Sequence, residues 1–270
     1  MHTQDRVRTL YDVLYEEGIV GVPDALPRGW AQDALDDFHA IYARQRRIPD
    51  GTVNRGRNRR YLAVHPESLR GFLDLATHPT ITSLCATILG PDWQICEIGF
   101  DVPFPGATTQ PWHRDFATPD ETRHRRHLSS LAFNFTTIDV TPDMAPFEVA
   151  PGTHFTNGDD WRYGMFPVDQ GQFDPLGVRR LPQRGDMSVR TGLTVHRGTA
   201  NTTTVARPVL ILGAVDGSVQ TPGHDLEVTR RYYDALPAAV RDHLRVTRIV
   251  ETLEPIRQRH TIEGLVMGDD

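Results

Sequence analysis

His113 and Asp115 stand one residue apart in Gln110-Pro-Trp-His-Arg-Asp115, and on an extended chain residues i and i+2 point to the same face. One imidazole and one carboxylate therefore converge on a point. Two histidines and a carboxylate on one face of an octahedron, with the remaining positions open, are the ligand set expected of a non-haem Fe(II) oxygenase. A second histidine must come from elsewhere. Of the 12 histidines in the chain, His2, His39, His65, His78, His224, His243 and His260 fall at the terminus, in predicted helices or in turns, where a solvated imidazole is the default. His124 and His127 lie in Arg123-His-Arg-Arg-His127, where guanidinium charge opposes a bound cation. His154, just past the turn Pro151-Gly-Thr-His154, stays open. His196 in Thr194-Val-His-Arg-Gly198 is the best candidate, because it ends a β-like run.

Arg207 comes 11 residues after His196, at the mouth of the apolar run Pro208-Val-Leu-Ile-Leu212. A partly buried arginine there needs an anionic partner. A dicarboxylate that chelates iron at one end needs a guanidinium fork at the other, and Arg207 could provide it. A zinc hydrolase built on the same His113, Asp115 and His196 would have no use for Arg207, and no His-Glu-x-x-His motif is present. A non-catalytic binding module that keeps these ligands by descent is the other alternative.

The elements that position these residues can be read from periodicity. Apolar residues at Val7, Leu10, Tyr11 and Leu14 predict a helix over 5–17 that Gly18 ends, with a short strand over 19–22 after it. Helical spacing returns over 28–47, and shorter helices are expected over 69–76 and 80–89, the latter opened by Pro79. After Gly90 the chain changes to short β-rich runs broken by Gly and Pro, at 93–100, 129–138, 147–150, 187–190, 193–196 and 208–215. This texture suggests a sandwich or barrel rather than a Rossmann sheet. Helices are predicted again over 226–236 and 238–244. The expectation is one domain over 1–270, mainly β with flanking helices: a helical part to about 90, a β core over about 91–216 and C-terminal helices over about 225–250. Segments 119–127 and 157–175 are long for hairpin loops and are candidate lids.

Composition narrows the chemistry further. All 29 basic residues among the 270 are arginine, and the formal charge is −6. Without lysine, Schiff-base and pyridoxal-phosphate chemistry and a Walker-type phosphate loop are excluded. Mild acidity with scattered arginines argues against a nucleic-acid partner. Two cysteines are too few for a disulfide scaffold, and no apolar run is long enough to span a membrane. The chain reads as soluble and cytoplasmic, acting on a small molecule.

His113-x-Asp115, the turn Asp139-Val-Thr-Pro-Asp-Met-Ala-Pro-Phe147, Pro151-Gly-Thr-His154, Arg184-Gly-Asp186 and His196 with Arg207 resemble, in this order and spacing, the phytanoyl-CoA dioxygenase family of Fe(II)/2-oxoglutarate oxygenases. The resemblance spans about residues 10 to 250. It implies a double-stranded β-helix (jelly-roll) core, Fe(II) on His113, Asp115 and His196, and 2-oxoglutarate anchored by Arg207, with Asn134 as a further co-substrate contact. His154 matches a turn histidine that is usually structural. Because Asp115 is intact, the resemblance implies oxygenation with O₂ rather than chlorination. The chain departs from its relatives at Met144-Ala145, where Asn-Gly is common, and at Val209, where a hydroxyl residue is common and Thr199 is a candidate substitute. It also lacks a lysine that many relatives place near the co-substrate, a role open to the run Arg55-Gly-Arg-Asn-Arg-Arg-Tyr61, which otherwise reads as a solvated loop.

The implied reaction is most often hydroxylation, and a natural-product biosynthetic intermediate is the first expectation for the substrate. A CoA- or carrier-linked acyl group, with the arginines at 55–60 meeting phosphate, is the second. Trp112, Phe116, Phe133, Phe135, Trp161, Tyr163, Met165 and Phe166 suggest apolar surface near the site, although Phe133 and Phe135 fit equally well as core residues.

Overall fold

The computed structural model describes residues 3–219, 226–258 and 262–267. Along the chain run α1 (Thr3–Glu17), β1 (Ile19–Val22), α2 (Arg28–Gln45), β2 (Val53–Asn54), β3 (Arg59–Ala63), α3 (Phe72–Ala76), α4 (Pro79–Ile88) and β4 (Gln94–Pro103). Next come α5 (Asp120–Arg125), β5 (Ser130–Thr136), β6 (Phe147–Val149), β7 (Val178–Arg180), β8 (Met187–Arg190), β9 (His196–Gly198) and β10 (Val209–Val215). The described chain finishes with β11 (Leu226–Thr229), α6 (Arg230–Ala235), α7 (Ala238–Arg241), β12 (Val246–Val250) and α8 (Ile262–Met267).

Seven strands form one antiparallel sheet in the order β1-β8-β5-β10-β4-β3-β2, and a second sheet has the order β7-β6-β9. Alternation decides what each face of the large sheet does. Its outward residues, Leu131, Phe133 and Phe135 on β5, Leu210 and Leu212 on β10, and Ile98, Phe100 and Val102 on β4, are fully buried. They join Leu14, Phe38, Phe72, Ile81 and Leu84 of the helices in one apolar cluster. Phe38 meets Phe100 at 5.3 Å and Trp30 meets Phe135 at 5.9 Å between ring centroids. Many inward residues of the sheet are small or polar, among them Ser130, Ala132 and Asn134 on β5, Gly213 on β10 and Ser188 on β8, beside the apolar Val209 and Ile211 of β10. They do not fill the space between the sheets, and a cavity of about 1160 Å³ results.

The helix and strand expectations hold up to β6, with shifts of a few residues at their ends. In α4, Pro79 occupies the first turn and the His78 ring accepts from the Thr80 N–H at 3.3 Å. Three readings need correction. The strand expected over 193–196 lies at His196–Gly198, because Thr191 to Thr194 forms a turn closed by Thr194 N–H to Thr191 O at 3.2 Å. The helix expected over 226–236 begins only at Arg230. Leu226–Thr229 is a strand paired parallel with β12, and the Thr229 hydroxyl accepts from Tyr232 N–H at 3.2 Å to start the helix. The segment around Arg59 is a strand of the large sheet rather than a loop. No described helix is long and apolar enough to cross a membrane.

Candidate metal and co-substrate site

Segment 110–115 runs antiparallel beside β9. His113 N–H donates to His196 O at 3.0 Å and His196 N–H to His113 O at 2.8 Å, while Asp115 N–H reaches Gly192 O at 2.8 Å. Directly opposed residues in such a pair have Cα atoms about 5.5 Å apart, and the two imidazoles lie 4.5 Å apart between centroids. Asp115, two residues on, falls on the same face. One ligand atom from each of His113, Asp115 and His196 lies within 4.8 Å of the others, an arrangement able to hold a metal ion.

The tautomers follow from the neighbours. His113 Nδ1 faces Pro111 O and His196 Nδ1 faces Thr194 O, both at 2.8 Å. A carbonyl only accepts, so each Nδ1 carries the proton and each Nε2 is free to turn its lone pair to the cluster. Burial and the adjacent His196 hold the His113 pKa down at about 3, so that ring is neutral at neutral pH. Asp115 is half-buried, and its desolvation favours the neutral form, but Arg190 and His196 override this and keep it ionised far below the usual carboxylate range. Arg190, at the end of β8, donates from Nη1 to Asp115 Oδ2 at 2.6 Å. The other oxygen, Oδ1, stands 3.3 Å from His196 Nε2. Acceptor atoms facing one another at this range repel unless a proton or a metal cation lies between them.

Arg207 lies two residues before β10, buried and lining the same cavity. Its guanidinium has no hydrogen-bond partner among the described residues, and its Nε is buried. Beside it, Arg59 donates from Nε and Nη2 to the two oxygens of Asp101 at 3.1 and 2.5 Å, with its Nη1 unsatisfied. Burial, with Arg59 next to it and only Asp101 opposing, lowers the Arg207 pKa to about 10. Two cations share one carboxylate, and the surplus positive charge calls for an anion. Gly198 makes room for this arrangement, since a Cβ there would fall 1.6 Å from Arg59 Nη1.

The remaining sequence candidates divide. Asn134 lines the cavity from β5, its amide donating to Ser188 Oγ at 3.4 Å. Thr199 does not stand in for the hydroxyl missing at Val209, because its side chain is buried and donates to Pro146 O at 2.7 Å. Ala145, where relatives carry glycine, adopts φ 49°. His154 is away from the metal cluster, its Nε2 against Tyr15 O at 3.1 Å. His2, His224 and His260 lie outside the described residues. Phe133 and Phe135 belong to the helix-facing core, and Trp112 is sealed in a separate cluster with Trp161 and Phe173. Phe116, Tyr163 and Met165 line the cavity, and Phe166 stacks on His113 at 5.8 Å. The candidate lids are joined by an Arg123–Asp159 ion pair, and Arg114, 4.1 Å over the Trp161 ring, ties the second of them to segment 110–115.

Two contributors escaped the sequence reading: Arg190, and Arg59 singled out of its basic run. The run itself was a visible signal for Arg59. For Arg190 the sequence carries none, because its contact with Asp115 is made across 75 positions.

Solved structures with this architecture include the non-heme alpha ketoglutarate dependent epimerase SnoN from nogalamycin biosynthesis in complex with Fe3+, alpha ketoglutarate and nogalamycin RO. It aligns with a TM-score of 0.66 and 17% identity over 96% of each chain. The carbocyclase SnoK from the same biosynthesis aligns at 0.61 and 19%, over 80% of this chain and 84% of its own. HygX from Streptomyces hygroscopicus, with nickel and 2-oxoglutarate bound, aligns at 0.59 and 15%, over 87% and 93%. No sequence relative is found among curated proteins. The sequence model of the phytanoyl-CoA dioxygenase family matches residues 14–209, which span the His113-x-Asp115 pair, His196 and Arg207, and the chain belongs to that family.

Proposed function

We propose that this family member is an Fe(II)/2-oxoglutarate-dependent oxygenase in which His113, Asp115 and His196 hold iron, Arg207 anchors the distal carboxylate of 2-oxoglutarate, and Asn134 contacts the same co-substrate. The observation that carries this reading is the pairing, in one cavity, of the His113–Asp115–His196 cluster with a buried guanidinium that has no acceptor among the described residues. The donors fit the groups. Two neutral imidazoles and a carboxylate suit a ferrous ion that keeps open positions, and an unsatisfied Arg207 suits a carboxylate. Arg59 supplies a second cation at that end, in the role relatives give to lysine.

When bound, iron and 2-oxoglutarate together activate O₂, yielding succinate and CO₂ and oxidising a substrate C–H bond. The chain's own work is positioning. Pro111 O and Thr194 O fix the two imidazoles, and Arg190 fixes the Asp115 carboxylate. Phe116, Tyr163 and Met165 give the cavity an apolar side suited to a small organic substrate. SnoN and SnoK, both from nogalamycin biosynthesis, favour a biosynthetic intermediate over a CoA-linked acyl group.

Anaerobic titration with Fe(II) and 2-oxoglutarate is the direct test. A weak visible metal-to-ligand charge-transfer band, together with succinate formation once air is admitted, is expected. No band at saturating concentrations of both sinks the reading in favour of a zinc hydrolase or a binding module.

A further inference from the structure

Four carboxylates line the cavity, and three are already satisfied. Asp115 is paired with Arg190, Asp101 with Arg59, and Asp186 accepts from the N–H groups of Asp24 and Gln183. The fourth is Glu97 on β4. Among the described residues it accepts one hydrogen bond, from the Tyr61 hydroxyl to Oε1, and no cation pairs with it. Its Oε2 has no hydrogen-bond partner among the described residues and lies against Gly213, where a Cβ would fall 3.0 Å from it. Burial and the Glu97 charge hold the Tyr61 pKa well above its usual value, so the phenol stays protonated and donates. The pair is built into the sheet: the Tyr61 ring crosses β4 over Gly99, where a Cβ would fall 2.4 Å from the hydroxyl oxygen. Arg55, which also lines the cavity, lies 4.8 Å over that ring.

Its position separates this carboxylate from the co-substrate. Asp101, which marks the end occupied by Arg59 and Arg207, lies four residues along β4 from Glu97, about 13 Å at strand rise. Across the sheet, register places Arg190, Ala132, Gly213 and Glu97 side by side on β8, β5, β10 and β4. Three strand spacings separate Arg190, beneath the metal cluster, from Glu97, about 14 Å. Between them the floor is only Ala132 and Gly213. The cavity thus has a cationic end at Arg207 and an anionic end at Glu97, with the metal cluster on its other wall.

We infer that Glu97, held by Tyr61, recognises the primary substrate, and that this substrate carries a cationic amine. The inference rests on the oxygenase reading only for what happens to the substrate afterwards. A carboxylate with one open oxygen on the wall of a cavity accepts an ammonium better than a neutral hydroxyl and disfavours an anion, because like charges repel. An amine seated at Glu97 leaves the rest of the molecule to extend over Ala132 and Gly213 toward the metal cluster.

The test uses protein loaded with Zn(II) and 2-oxoglutarate and three probes of one shape: cyclohexylmethylamine, cyclohexylmethanol and cyclohexanecarboxylate. Dissociation constants come from ligand-observed saturation-transfer NMR. The amine is expected to bind about tenfold more tightly than the alcohol, with the carboxylate weakest, and Glu97→Gln is expected to collapse that ratio toward one. Tyr61→Phe, which leaves the carboxylate unanchored, should reduce it partway. Arg180 and Arg257 also line the cavity. A preference of the wild-type protein for the carboxylate, or equal binding of all three probes, overturns the inference without reference to any variant. An amine preference that survives Glu97→Gln overturns it as well. A protein that gives the charge-transfer band but no amine preference keeps the oxygenase reading and loses this one; an amine preference without the band does the reverse.

Discussion

Arg190 Nη1 grips one oxygen of Asp115 at 2.6 Å while the other stands 3.3 Å from His196 Nε2, so the carboxylate is held from behind and presents a single atom to the cluster. Partners of this kind, one step removed from a metal ligand, usually set its orientation and are costly to lose.

Replacing Arg190 with Met removes the hydrogen bond while keeping most of the buried volume. Affinity for Fe(II), or for Ni(II) as an air-stable substitute, should fall about 10–100-fold by calorimetric titration. Arg190→Lys should recover part of the loss, because a point charge can neutralise Asp115 without reproducing the planar fork. Unchanged metal affinity in Arg190→Met would show that Asp115 is oriented by its backbone alone.

Arg207→Met should weaken 2-oxoglutarate binding by at least about 2 kcal/mol, or roughly thirtyfold, since it deletes one member of a buried charge pair. The concentration of 2-oxoglutarate needed to half-saturate the charge-transfer band measures this. Asn134→Ala removes a neutral contact and should cost less, about 1 kcal/mol.

Asp101 controls stability in acid. Burial raises its pKa, but Arg59, through charge and hydrogen bonds, holds it below the ordinary value in the folded protein. A carboxylate whose folded pKa is depressed stabilises the fold above its unfolded value, and that contribution is lost as pH falls through the folded pKa. Asp101→Asn should therefore cost about 3 kcal/mol near neutrality, where it leaves Arg59 and Arg207 without a counter-charge. The gap between wild type and variant in urea-midpoint measurements should narrow below pH about 4. A constant gap from neutrality into acid would contradict the assignment.

Cys85 and Cys96 are both free and buried. Burial pushes the Cys85 thiol well up, and burial together with Glu97 pushes Cys96 to about 12. Neither should react with a disulfide reagent at mildly alkaline pH while the protein is folded, and both should react in denaturant. Rapid labelling in the native state would show that α4, for Cys85, or β4, for Cys96, opens locally.

What could be read from the sequence is what local rules determine. The i, i+2 relation of His113 and Asp115 follows from strand geometry alone, and Leu10 with Leu14 or Phe38 with Ile41 mark helix faces without knowledge of the partner. The lost information is relational. Arg190 looks like any arginine closing a strand until β8 is laid beside β5 and β1. Arg59 and Arg60 lower the apparent strand character of β3, yet one of them belongs to the site. Residues 226–229 carry no local sign that β12 will pair with them, so helical spacing was the better reading in isolation. Phe133 and Phe135 were near the site in sequence and on the opposite face of the sheet in space, since one residue of register moves a side chain through it.

The division of labour between the two faces of the large sheet has a consequence for how this enzyme can be altered. The outward positions carry the packing, so substitutions at Phe133, Phe100 or Leu212 put the whole molecule at risk. Ala132, Ser130, Ser188 and Gly213 carry little of it and form the floor of the cavity. Libraries confined to such inward positions should therefore reshape substrate choice while most members still fold, which makes this barrel a scaffold whose selectivity can be rewritten a few codons at a time.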